Sequence, residues 1–127
     1  MSKNIIKALS VRQPWASLIA SGEKTIETRT WPTKYRGKLL VVAGKTPFKG
    51  DPALPRGVAL CVADLVDCRP MLKKDERAAC CEIYDGAWAW VLADITPISP
   101  FPVIGRLGLF EASFHQHTCC RPASARR

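Results

Sequence analysis

The run Leu39-Leu40-Val41-Val42, inside the segment Gly37 to Ala43, constrains the fold of this chain more than any other stretch. Consecutive apolar residues over a segment of strand length leave no polar face for water, so it predicts a strand buried on both sides. Ile5 to Val11 and Val58 to Val66 also read as strands. Thr25 to Trp31, rich in β-branched and aromatic residues and closed by Pro32, reads as another. From 87 to 93 the small Ala87, Ala89, Val91 and Ala93 alternate with the large Trp88, Trp90 and Leu92. That alternation suits the tapered interior of a small closed barrel, and it assigns Trp88 and Trp90 to the core. Pro97, Pro100 and Pro102 stud the segment Ile95 to Ile104 and exclude a central strand there, predicting an edge or wrapping segment. Leu107 to Ala112 supplies a last strand.

Two helices fit between these strands. Arg12-Gln13-Pro14 ends the first strand, and Trp15, Leu18 and Ile19 then recur at helical spacing, predicting a helix from Pro14 to Ser21 with Gly22 as its C-cap. The same spacing favours a core role for Trp15 over an exposed one. A second helix is expected within Pro70 to Glu82. The Pro- and Gly-rich stretch from Gly44 to Gly57 reads as a loop long enough to be a functional or mobile rim. Five or six short strands with two inserted helices make an α+β barrel.

The chain has 127 residues, enough for one domain with a real core. Its 47% hydrophobic content includes no uninterrupted apolar run near membrane-spanning length, so no membrane partner is expected. The segment Met1 to Lys7 has only Ile5 and Ile6 as contiguous apolar residues, too few for a signal-peptide core, which predicts a cytoplasmic protein. Six cysteines fall as Cys61, Cys68, the pair Cys80-Cys81 and the pair Cys119-Cys120 without any C-x-x-C spacing, and free thiols are the expectation. His115-Gln116-His117-Thr118-Cys119-Cys120 matches no usual zinc pattern, so neither a metal nor another cofactor is expected. Residues 116–127 read as a basic tail following a domain of residues 1–115. A monomer is the default.

Net charge is +8, and residues 1 to 50 carry all of the excess, with ten Lys or Arg against two acids. The remaining residues hold nine of each sign. A basic half of a small domain raises the local concentration of anions and favours a polyanion. At its centre lies Gly22-Glu23-Lys24-Thr25-Ile26-Glu27-Thr28-Arg29. Strand alternation places Thr25, Glu27, Arg29 and Trp31 on one face, with Lys24 just outside at the turn, from which its side chain can reach the same cleft. Arg29 can hold a phosphate bidentately, and Lys24 acts as a mobile point charge. Glu27 either braces those two cations, accepts hydrogen bonds from a base edge, or serves as a general base. A solvated, ion-paired hairpin strand is the structural alternative.

Ser10-Val11-Arg12-Gln13-Pro14-Trp15-Ala16, then Gly22-x-Lys24-x-x-Glu27-x-Arg29, then Trp31 and Arg36-Gly37, and finally Gly105-x-x-Gly108-Leu109-Phe110 resemble the ASCH domain, a branch of the PUA-like superfamily. The resemblance covers about residues 4 to 112. It implies a small PUA-like β-barrel with a cleft beside the first helix, and RNA or another nucleic acid as partner. The expected binding residues are Gln13, Trp15, Lys24, Glu27, Arg29 and Trp31, flanked by Lys34, Arg36 and Lys38. Trp15 and Trp31 would stack on exposed bases. The resemblance also carries a second reading, a hydrolase with Lys24 and Glu27 catalytic, because some ASCH-like proteins are ribonucleases. One compact subgroup hydrolyses acylated cytidines with a lysine, a threonine three residues on and a later glutamate. Here the third position after Lys24 is Glu27, which counts against that chemistry, although Thr25 and Thr28 lie adjacent. A third reading, a protein-interaction adaptor, fits family members found in larger assemblies.

Overall fold

The computed structural model describes residues 4–114. The chain runs through β1 (Asn4–Val11), α1 (Trp15–Ser21), β2 (Ile26–Arg29), β3 (Gly37–Ala43) and β4 (Val58–Pro70). A 3-10 turn (Lys73–Asp75) then leads into α2 (Glu76–Ala79), followed by β5 (Trp88–Pro102) and β6 (Leu109–Phe114). All six strands join one mixed sheet in the order β2-β5-β4-β3-β1-β6. β1 and β3 are parallel, with α1 in the crossover between them, and every other neighbouring pair is antiparallel. The class is α+β, as the sequence predicts. The ladder does not close, because β2 pairs only with β5 and β6 only with β1, so the barrel is approximate. Curling of the sheet still brings the Phe101 ring of β5 to 6.0 Å from that of Phe114 in β6, between ring centroids.

β3 is buried on both faces. Leu39, Val41 and Ala43 pack with Leu9 and Val11 of β1, Ile19 of α1, and Leu65 and Trp90, whereas Leu40 and Val42 face Ala8, Phe110 and Phe114. Each fully buried Leu or Val side chain contributes roughly 1.5–3 kcal/mol relative to exposure, which is why this run fixes the centre of the sheet. A smaller cluster of Ile26, Met71, Ala79, Ala87 and Ala89 seats α2 against β2 and β5.

Three expectations need correction. The segment with Pro97, Pro100 and Pro102 is the edge of the two alternatives the sequence offers, but no separate element: β5 continues through it as one strand of 15 residues lying between β2 and β4. The prolines are tolerated because β2 pairs only with Trp88 to Val91, leaving the stretch from Thr96 to Pro102 bonded to β4 alone. That half of β5 is an edge, where a missing N–H need not cost a ladder bond. Between the halves β5 carries one extra residue, since Asp64 pairs with Ala93 but Val62 with Thr96, and Asp94 takes the left-handed φ of 51° at this bulge. The second helix shrinks to the turn and the four residues of α2, because β4 runs on to Pro70 and Cys80, at φ 57°, terminates the helix. Trp88 is only half-buried, while Trp90 is fully enclosed.

Candidate functional site

Gly22 ends α1 at φ 87°, a conformation that suits a residue without Cβ, and its N–H bonds the Ile19 carbonyl at 2.9 Å. The chain after it is clamped on three sides: Lys24 N–H to the Leu18 carbonyl at 3.0 Å, Thr25 N–H to Ala78 at 2.9 Å, and Leu92 N–H to the Thr25 carbonyl at 2.9 Å. This clamp turns Lys24 inward. Its side chain reaches the cleft, but not as the mobile point charge the sequence suggests; the residue is 1% exposed. The ammonium donates to the carbonyl of Ala79, at the end of α2, where helix carbonyls lack intrahelical partners. It also lies 3.4 Å from Glu27 Oε1.

Glu27, 7% exposed, is held from the other side by Arg29. Arg29 Nε donates to Glu27 Oε2 at 3.1 Å, its Nη2 lies 3.0 Å from the same oxygen, and that Nη2 donates to the Ser10 carbonyl at 2.7 Å. Lys24, Glu27, Arg29 and the end of β1 thus form one polar chain along the wall of a cleft of about 470 Å³. Buried charges persist only when paired and hydrogen-bonded in this way.

The cleft is lined by Ser10 and Val11 at the end of β1, Arg12 after it, Trp15 of α1, Lys24, Glu27 and the run Thr28 to Trp31, with Cys81 and Tyr84 from beyond α2. Strict alternation does not hold: Thr25 stays off the cleft, and Thr28 and Thr30 line it. β2 ends at Arg29, so the following residues are free of the strand period. Trp15 is 37% exposed at the cleft, contrary to the core role its spacing implies. Trp31 is fixed edge-on against Trp90, with centroids 4.9 Å apart at 86°, and its carbonyl accepts from Trp90 Nε1 at 3.2 Å. Arg12 is exposed, and among the described residues its side chain makes neither an ion pair nor a hydrogen bond.

Other expected site residues lie elsewhere. Gln13 is buried beneath the start of α1, where its amide donates to Ser17 Oγ at 2.9 Å and the Pro55 carbonyl at 2.7 Å and accepts from Ser17 N–H at 3.0 Å. It braces the helix and the 44–57 loop and does not line the cleft. Lys34, Arg36 and Lys38 are exposed and also outside it. Lys38 pairs with Asp64 at 3.1 Å, and Arg36 lies 3.8 Å from Asp67, so carboxylates of β4 offset part of the basic half in space. Sequence reasoning missed Ser10, Thr30, Cys81, Tyr84 and Arg12, of which Ser10 and Arg12 had a local signal, their place in the Ser10-Val11-Arg12-Gln13-Pro14-Trp15 run. Cys61, Cys68, Cys80 and Cys81 are free thiols; burial pushes Cys61 up to about 12, which makes it an inert part of the core. The His115 to Cys120 cluster and the tail lie outside the described residues. No helix among the described residues is long and apolar enough to cross a membrane.

The model of the ASCH domain family matches residues 9–102. The chain belongs to the ASCH domain family. Every residue lining the cleft falls inside the matched stretch. Activating signal cointegrator 1 of Mus musculus and of Homo sapiens are each 37% identical to this chain where they align, over 47% of it. The chain covers only 14% of those relatives' length. Among solved structures, the ASCH protein of Zymomonas mobilis is similar with a TM-score of 0.59 and 20% identity, over 76% of this chain and 73% of that one. A mutant of the same protein matches with a TM-score of 0.55 and 18% identity, over 76% and 75%. At such identity the likeness establishes the fold.

Proposed function

We propose that this ASCH domain binds single-stranded RNA, taking one nucleotide into the cleft beside α1. The observation that carries the reading is the meeting of an exposed indole, Trp15, with the guanidinium of Arg12, unpaired among the described residues, at a cleft whose wall is the Lys24, Glu27 and Arg29 chain. A base offers a π-face to Trp15, and a phosphate offers oxygens to Arg12. The volume falls within the range of about 300–1,000 Å³ typical of small-ligand clefts. Glu27 acts as a brace, since each of its oxygens already faces a cation.

A hydrolytic reading has one observation in its favour, Thr28 lining the cleft beside Lys24 and Glu27. One set of assays separates the two. Wild type is expected to bind single-stranded RNA at low salt without turning over RNA or N4-acetylcytidine, and Trp15→Ala to weaken binding by about 5- to 150-fold, the equivalent of about 1–3 kcal/mol of stacking. Undetectable binding at low salt contradicts the proposal, and turnover abolished by Lys24→Ala and Glu27→Ala replaces it with the hydrolase.

A further inference from the structure

A second recess of about 450 Å³ opens beside the cleft and shares Ser10 and Arg12 with it. Arg12, Lys45 and Arg106 give it three cations, and no carboxylate lines it. Among the described residues, none of these three cations takes part in an ion pair. This sets them apart from Arg36 and Lys38, whose charges are answered by β4. Gly44, Gly57 and Gly105 also line the recess, and a Cβ on them would face Val11 and Arg12, the Lys45 side chain, and Ser10 respectively, so their small size lets these segments pack closely under the cations. It is also rigidly set. Gly44 N–H bonds the Val11 carbonyl at 2.9 Å, Gly57 N–H the Ala43 carbonyl at 2.8 Å, and Val103 N–H the Gly57 carbonyl at 3.1 Å. A Cβ on Gly105 would stand 2.7 Å from Ser10 Oγ, so the segment after β5 lies directly on β1 where the two recesses meet.

A free nucleoside would need the cleft alone. A trough of unpaired cations leading away from it, with Arg12 at the junction, matches a strand that continues past the nucleotide held by Trp15. We infer that this groove carries the phosphodiester backbone flanking that nucleotide, so the ligand is a polynucleotide strand; the inference rests on the RNA-binding reading above. Lys45 and Arg106 contact phosphates there and read no base.

The test is fluorescence anisotropy with single-stranded RNA of about eight nucleotides, titrated between about 50 and about 200 mM salt. Lys45→Ala and Arg106→Ala are each expected to weaken binding and to reduce the slope of log affinity against log salt by about 0.7 for each phosphate no longer neutralised. Lys73→Ala serves as the charge control: it removes an exposed cation that lines neither recess, and is expected to leave the slope unchanged. Unchanged slopes in both groove variants, or an equal fall in Lys73→Ala, overturn the groove while the cleft stands. Absence of RNA binding by the wild type overturns both.

Discussion

Glu27 is the residue on which the candidate site turns. Its carboxylate lies between a fully buried ammonium and a guanidinium that is itself tied to the backbone of β1, so each charge depends on the next. Removing one member of a buried ionic group typically costs about 3–5 kcal/mol, because the partner left behind stays desolvated and unpaired. Glu27→Ala is therefore expected to destabilise the domain by about that amount, with Lys24 stranded. Lys24→Met, which leaves Glu27 with Arg29, is expected to cost less. Chemical denaturation of the two variants measures the order, and a cost below about 1 kcal/mol for Glu27→Ala would place the carboxylate in a solvated surface pair. Lys24, Glu27, Arg29 and Trp31 were legible in the sequence because the strand and its preceding turn carry them together. The burial of Lys24 was not, since its acceptor, the Ala79 carbonyl, lies far along the chain and belongs to a helix of only four residues.

At the scale of elements, that short helix is set by a contact no periodicity encodes. Arg69, near the end of β4, makes two hydrogen bonds to Asp75, at 2.7 and 3.0 Å, and Asp75 also accepts from Leu72 N–H at 2.8 Å. The turn is pinned and α2 is limited to four residues, whereas the proline-free stretch after Pro70 predicts a longer helix. The Arg69 hydrogen bonds hold the Asp75 carboxyl below its ordinary value, and the Leu72 N–H adds to this. A group lowered in the folded state stabilises the fold above its unfolded pKa, and that contribution disappears as pH falls through the folded value. Asp75→Asn is accordingly expected to lower Tm at pH 7, with the gap to wild type closing as the pH drops below about 4. Melting curves across this range test it; a gap that stays constant contradicts it. β3 was legible for the opposite reason, since burial on both faces writes itself as an unbroken apolar run. The prolines of β5 mark an edge, as their spacing predicts; that this edge is the far half of the Trp88 strand was not legible, because it depends on where the neighbour stops, and β2 stops after four residues.

For the whole molecule, the charge count located the basic half but not which of its cations stay unpaired among the described residues. Folding sets Asp64 and Asp67 of β4 against Lys38 and Arg36, and leaves Arg12, Lys45 and Arg106 clear around the cleft and its neighbouring groove. Tyr84 and Cys81 reach the cleft only because α2 stacks on β2, an arrangement held by the Ile26, Met71 and Ala79 cluster and invisible to local spacing. The resulting surface is asymmetric, with one cleft joined to one cationic groove and Gln13 withdrawn beneath the helix that borders them. Entry of RNA into this cleft is best tested by an NMR titration of the isotopically labelled domain with single-stranded RNA. The largest amide shifts are expected at Ser10 to Arg12, Trp15 and Lys24 to Trp31, with the Trp15 indole signal among them; shifts confined to Lys34 through Lys38, or none at low salt, would refute it.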